Sequence, residues 1–270
     1  MPSPRSERMS RVDHAWLRMD SDANLMMIVG FWLMAPKLTL AELTERIRTA
    51  LLAYPRFVQK VVEDDDGAAW VEDEHFDIGH HVTREALRHK PGETALDALK
   101  RRVAELATQP LDPSRPLWQF HLVEDLDGAQ SAMICRIHHC IGDGIALTSV
   151  TLSIADGGKP PPPRASPEGR HDGAHDGLAE TLIKSLADLA THGAQVGVQI
   201  AQDAAALALM ADDSPTRLKG KATPGKRVAW GEPLPLDEVK AVSKAYGVSI
   251  NDVLLAAVAG AIGEYLRDKG

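Results

Sequence analysis

The sequence is poor in cysteine, has no excess of basic charge and contains no long hydrophobic run. Its two cysteines, Cys135 and Cys140, lie five apart in a chain of 270 residues. That is neither a disulfide framework nor a paired zinc-ligand set, and a reducing compartment, the cytoplasm, is the simplest setting. Cys135 reads as a small apolar packing residue. The formal net charge of -8 argues against a nucleic-acid partner, because that interaction runs on a basic face. An anionic substrate would need a local basic pocket. The longest apolar run, Leu25 to Pro36, falls short of the roughly 20 residues that cross a bilayer. Residues 1–20 carry arginine and aspartate with no apolar stretch of the secretory kind. Any membrane contact is therefore expected to be peripheral, and there is no internal repeat.

What is there suits a folded α/β protein. Hydrophobic residues make up 44% and charged residues 25%, an ordinary balance, and the length suffices for a substantial core. Leu25–Met34 reads as a strand buried on both faces. Thr39 then caps a helix whose stripe is Leu40, Leu43, Ile47 and Leu51, and Tyr54-Pro55 stops it. Phe57–Val62 and Trp70–Phe76 read as strands on either side of the acidic turn Glu63–Gly67. Thr94 opens a helix with the stripe Leu96, Leu99, Val103 and Leu106. Trp118–Val123 and Ser131–Ile137 form a hairpin about Asp125–Gly128, and Ile145–Ile154 is a helix.

After Asp156 the composition changes to glycine and proline. This divides the chain into an N-terminal domain 1–156, a linker 157–177, an Ala-rich helical crossover 178–225 (patterned from Leu178 to Met210) and a last segment 226–270. In that segment Lys226–Trp230 reads as a strand. Leu236–Tyr246 is a helix stopped by Gly247, and Ser249-Ile250-Asn251-Asp252 opens a helix over Val253–Leu266.

The chemistry-bearing run is His138-His139-Cys140-Ile141-Gly142-Asp143-Gly144, at the end of the Ser131–Ile137 strand. Histidine titrates near 6.5 and is the side chain best matched to take a hydroxyl proton at neutral pH; His139 is the expected general base. His138, on the opposite face, is expected to point inward and form hydrogen bonds. Gly142 and Gly144 are expected to let the backbone turn tightly and to admit a bulky group beside the imidazole. Asp143 either acts directly or holds the loop by pairing with an arginine; the second role is preferred, since one base suffices. Competing readings are a buried core pair or a fortuitous partial metal site. Adjacent strand residues face opposite ways, so His138 and His139 could not readily share one ion, and no metal or bound cofactor is expected.

Together with its surroundings, this run resembles the bacterial wax ester synthase/diacylglycerol acyltransferase family, in the chloramphenicol-acetyltransferase-like superfamily. The family pattern His-His-x-x-x-Asp-Gly is met at every fixed position. Its Pro-Leu-Trp element matches Pro116-Leu117-Trp118, preceded by Pro110-Leu111-Asp112, and its Asn-Asp element matches Asn251-Asp252. Tyr54-Pro55-Arg56-Phe57 and Phe76-Asp77, with His81 after them, are also similar.

The resemblance implies an α/β fold, a mixed β-sheet flanked by helices, with two similar halves and a tunnel between them. It implies acyl-CoA as donor, used as a substrate and not as a cofactor. The implied acceptor is diacylglycerol, a long-chain fatty alcohol or both, giving triacylglycerol or wax ester. His139 would be the base and Asp143 a loop-holding residue. Pro116, Leu117, Trp118, Asn251 and Asp252 would be structural or would shape the tunnel. The residues alone allow plainer roles: Trp118 as a core aromatic, Asn251 as a helix N-cap and Asp252 as a favourable charge at a helix start. The lipid acceptors suggest a peripheral place on the inner face of the plasma membrane or a lipid-droplet surface.

The resemblance covers nearly all of this chain but little over half of a family member. Most of the second half is therefore expected to be missing or separately encoded. The alternative function is a catalytically incomplete half-protein that binds lipid or a complementary subunit. Acetylation of a small hydrophilic acceptor is a third reading, disfavoured by the Pro-Leu-Trp and Asn-Asp elements.

Overall fold

The computed structural model describes residues 6–65, 67–142, 144–155, 216–221 and 223–269. The linker 157–177, the Ala-rich pattern 178–210 and Asp143 lie outside them. The described residues fall into two units. One contains residues up to 155 together with Thr223–Val228, and the other contains 216–221 and 229–269.

In the first unit, the chain begins with β1 (Ser6–Arg8) and α1 (Arg11–Arg18), whose N-cap Ser10 accepts the Asp13 N–H. Strand β2 (Met27–Met34) follows, then α2 (Leu40–Ala50). Thr39 and Glu42 form a reciprocal capping box at the start of α2, and Leu43 and Ile47, one turn apart, are buried. The hairpin β3 (Gln59–Asp64) and β4 (Gly67–Glu72) pairs with β1 in a three-stranded sheet of order β1-β4-β3. At its turn Gly67 has φ 125°, a conformation that strains any residue with a Cβ.

The second sheet positions the histidines. Strands β5 (Val82–Arg84), β6 (Trp118–Val123) and β7 (Ser131–His138) join β2 in the order β2-β7-β6-β5. The β5–β6 pair is parallel and the others are antiparallel, so the sheet is mixed, as the sequence led us to expect. Paired residues share a face. Ile28, Trp32, Val82, Trp118, Phe120, Leu122, Met133, Cys135 and Ile137 make one face and enter a core with Leu43, Ile47 and Leu51 of α2. Leu147 and Val150 of α4 (Gly144–Leu152) complete that core. The other face carries Thr83, Gln119, His121, Ile134, Arg136 and His138. Helix α3 (Ala95–Leu106), capped by Thr94, is tied to the β5 end by Arg102 Nη2 donating to Glu85 at 3.0 Å.

Several expectations change, among them the Trp70–Phe76 strand, which runs over Gly67–Glu72 instead. Strand β2 is not buried on both faces: it lies at the sheet edge, paired only with β7 among the described residues, and Leu33 is 41% exposed. In α3, Leu96 of the first turn is 40% exposed, while Ala98 and Ala104 join Leu99, Val103 and Leu106 in the buried set. Phe57 starts no strand. It sits in a 3-10 turn, Pro55–Phe57, where Pro55 fixes the first helical position and the Phe57 ring meets Trp118 edge-on at 5.6 Å.

Residues 226–230 form no strand; within the first unit, Lys226 Nζ donates to the Ala23 carbonyl at 2.8 Å. The second unit holds α5 (Leu236–Tyr246), ended by Gly247 at φ 65°, and α6 (Ile250–Lys269). The two helices meet at 97°. Among the described residues no single helix is long and apolar enough to cross a membrane.

Candidate active site

Strand β7 delivers the two histidines to its end, and all eight of its residues are buried. The chain then turns through a 3-10 segment, His139–Ile141, before α4 begins at Gly144. His138 is the N-cap of this turn: its Nδ1 accepts the Cys140 N–H at 3.1 Å. Nδ1 is thereby the unprotonated nitrogen of the neutral ring, and the proton sits on Nε2. Nε2 lies 3.3 Å from Asp20 Oδ2, in contact but off the line of a good hydrogen bond. Burial pushes the His138 pKa down, and the Asp20 charge acts against that shift.

His139 points elsewhere. Its backbone N–H donates to the Met26 carbonyl at 2.9 Å. Its half-buried ring stacks on Trp16 of α1, with centroids 4.7 Å apart and planes 20° from parallel. Among the described residues no hydrogen bond engages its ring nitrogens. Cys140 is buried with Met9, Trp70 and Leu117, and its thiol is pushed up to about 12 by burial and by the charges of Asp13 and Asp20. It stays protonated at neutral pH and is no nucleophile.

Three of the segments that carried the family resemblance, those holding Phe57, Phe76 with His81, and Trp118 itself, converge on one indole. Trp118 is fully buried, and its Nε1–H donates to the Phe57 carbonyl at 2.9 Å. Its own carbonyl accepts from His81 Nδ1 at 2.8 Å, and the His81 ring stacks on it at 4.4 Å. The Leu117 carbonyl accepts the His138 N–H at 3.0 Å. Pro116-Leu117-Trp118 is thus joined directly to the histidine turn, and Trp118 is also the core aromatic of its plainer reading.

Other expected residues fare differently. Gly142 has φ 176°, extended backbone open to any residue, and a Cβ there would meet Leu147 at an ordinary 3.6 Å. A Cβ on Gly144 would meet nothing within 4 Å. Neither glycine is needed for a tight turn; Gly144 alone leaves open space. Asn251 is not the N-cap of α6. Ser249 is, through Ser249 Oγ accepting the Asp252 N–H at 3.2 Å and Asp252 accepting the Ser249 N–H at 2.9 Å. Asn251 and Asp252 belong to the second unit.

A groove of about 540 Å³ opens beside His138. Leu17, Leu25, Met27, Leu111 and Leu117 are among its apolar walls, and Asp20 and Glu63 are its acids. His139 is not in its lining. Trp16 and Asp20 lie outside the motifs that the sequence offers. The cue was Ser10-x-x-Asp13 ahead of Trp16-Leu17, the signature of a capped helix start. Among the described residues no cluster of three or more His, Cys, Asp or Glu side chains could hold a metal ion.

Known proteins supply the remaining comparison. The model of the wax ester synthase/diacylglycerol acyltransferase catalytic domain matches residues 9–254. A probable diacylglycerol O-acyltransferase of Mycobacterium tuberculosis is 34% identical over 162 residues, covering 57% of this chain and 58% of that protein. A putative diacylglycerol O-acyltransferase of Mycobacterium bovis is 30% identical over 281 residues, covering 97% and 60%. The solved wax ester synthase/diacylglycerol acyltransferase from Marinobacter aquaeolei VT8 superposes with a TM-score of 0.62 at 27% identity, again covering 97% of this chain and 60% of the other. The chain therefore spans about three-fifths of the length of these relatives. The match to the family model begins at Met9, just ahead of α1, and ends at Leu254 in the first turns of α6, and on that extent the chain belongs to the wax ester synthase/diacylglycerol acyltransferase family.

Proposed function

We propose that this chain carries the base-bearing part of an acyl-CoA-dependent O-acyltransferase, with His139 as general base and diacylglycerol or a long-chain fatty alcohol as acceptor. The observation that carries the reading is the contrast within the histidine pair. His138 is buried and spends Nδ1 on the turn, while among the described residues the His139 ring is stacked on Trp16 and no hydrogen bond engages its nitrogens.

The reaction follows from that. An imidazole nitrogen of His139 takes the acceptor's hydroxyl proton as its oxygen attacks the thioester carbonyl carbon. The tetrahedral intermediate collapses with cleavage of the C–S bond, and His139 returns the proton to the departing CoA thiolate. The apolar groove beside the turn suits a long alkyl chain. The printed names of the mycobacterial and Marinobacter relatives support acyl transfer to diacylglycerol or to the alcohol of a wax ester.

The test is CoA release by the purified chain from palmitoyl-CoA with hexadecanol or a diacylglycerol. His139→Ala is expected to lower the rate by roughly 10² or more; an unchanged rate would overturn the base assignment. The chain spans about three-fifths of the length of its relatives, and the second reading is lipid binding without turnover. Lipid binding with no CoA release from either acceptor would select it.

A further inference from the structure

The histidine turn is held by more than its own strand. Asp20 Oδ1 accepts the Met26 N–H, and the Met26 carbonyl accepts the His139 N–H at 2.9 Å. Asp20 Oδ2 lies 3.3 Å from His138 Nε2, and His138 Nδ1 accepts the Cys140 N–H at 3.1 Å. Because His138 and His139 are covalent neighbours, these contacts close a ring that runs from Asp20 through Met26 to the turn and back. The loop that carries Asp20 is itself built: Ser21 and Asn24 exchange backbone hydrogen bonds at 3.2 and 2.9 Å, and the Asp20 N–H reaches the Leu17 carbonyl of α1. Helix α1 in turn rests on the same turn through the Trp16–His139 stack.

We propose that Asp20 is the positioning residue of this turn: it holds the Met26 backbone by a hydrogen bond and, by its charge beside Nε2, favours the Nε2–H tautomer of His138. It touches no reacting atom; it acts through His138 and through the backbone of Met26. The effect on turnover rests on His139 being the base, whereas the effect on the turn does not.

The chemistry is specific to a carboxylate. Both groups that face Asp20 are donors: the Met26 N–H bonds to Oδ1, and the Nε2–H of His138 lies in charge contact with Oδ2 at 3.3 Å without a hydrogen bond. Asparagine offers one acceptor and one NH2. With the amide oxygen on Met26, its NH2 meets the Nε2–H donor. His138 can relieve that clash only by moving its proton to Nδ1, which breaks the bond from Cys140. With the amide reversed, the NH2 meets the Met26 N–H instead. Alanine removes both acceptors but opposes neither donor, and water can reach the site, because the Asp20 side chain is 35% exposed. Asparagine should therefore disturb the turn more than alanine does, the reverse of what size and polarity alone predict.

The experiment compares wild type, Asp20→Asn and Asp20→Ala. Readouts are the imidazole ¹⁵N shifts of His138, the exchange rates of the His139 and Cys140 amides, and kcat and KM for palmitoyl-CoA with hexadecanol. In Asp20→Asn the His138 proton is expected to leave Nε2, or the His139 amide to exchange about tenfold faster. The melting temperature should stay close to wild type, and kcat should fall about tenfold or more with KM within about twofold. Asp20→Ala is expected to fall between Asp20→Asn and wild type. An unaltered His138 tautomer with unaltered amide exchange in Asp20→Asn overturns the proposal, whatever happens to turnover; so does Asp20→Ala disturbing the turn more than Asp20→Asn. If instead His139→Ala keeps full turnover, the base assignment fails while the shifts and exchange rates still decide the role of Asp20.

Discussion

The two faces of the β2-β7-β6-β5 sheet are built from the same strands and differ sharply. One is mainly apolar, from Trp118, Phe120 and Leu122 on β6 to Met133, Cys135 and Ile137 on β7, and it buries α2 and α4 residues. The other carries a row of buried polar groups. Arg136 donates to Gln119 at 2.7 Å and to the Gln109 carbonyl, His121 lies 3.1 Å from Thr83, and His138 ends the row. Burial, reinforced by the charge of Arg102, brings Arg136 down to about 10; burial and the charges of Arg136 and Arg102 bring His121 down to about 4. The lesson concerns the adjacent histidines. The alternation of β7 assigns His138 to the polar row, where it becomes part of the scaffold. His139 lies one residue past the strand, its ring stacked on Trp16 and its nitrogens without a hydrogen bond among the described residues.

Substitutions can break or sharpen this contrast. The largest effect is expected on the apolar face: Trp118→Ala should cost about 3–5 kcal/mol by cavity formation and the lost bond to Phe57, seen as a lower urea midpoint. Next comes the pH response of the polar face. The folded pKa of His121 is lowered from 6.5 to about 4, so between those values the unfolded chain binds the extra proton. Stability from this group is complete above about pH 6.5 and falls as the pH drops, by up to about 3 kcal/mol near pH 4. Urea melts at pH 7 and 4.5 should diverge less in His121→Gln than in wild type; equal divergence would contradict the assignment.

His138→Ala should cost about 1–3 kcal/mol, because the Cys140 N–H loses its acceptor inside the fold. Trp16→Ala should cost about 1 kcal/mol and speed modification of His139 by diethyl pyrocarbonate. The smallest stability effect belongs to His139→Ala, within about 0.5 kcal/mol of wild type, although it is expected to abolish most turnover. A His139→Ala variant as unstable as His138→Ala would erase the distinction between the two.

Much of this was legible from local signals. Thr39, Thr94 and Gly247 mark helix ends because capping bonds form within four residues. Trp118–Val123 and Ser131–His138 pair about a turn whose Asp125 accepts the Gly128 N–H at 2.7 Å. The histidine motif could be read because its chemistry depends on residue type and spacing. What could not be read depended on distant partners. The apolar run of β2 looks the same at a sheet edge as in the centre, since composition does not count neighbours. The extended Lys226–Trp230 run has strand-like composition, but a strand exists only where a ladder partner does.

The sequence by itself therefore carried the family resemblance, most elements of the histidine-bearing unit and the His138-His139 motif. The elements rest on periodicity and caps, and the resemblance on the histidine motif together with Pro116-Leu117-Trp118 and Asn251-Asp252. Only the tertiary structure decided which histidine is scaffold and which stacks on Trp16. It alone brought Trp16 and Asp20, more than a hundred residues away in sequence, onto the motif. The reason is that a ring's freedom and a proton's place are set by whatever the fold puts beside them, and no local pattern encodes those neighbours.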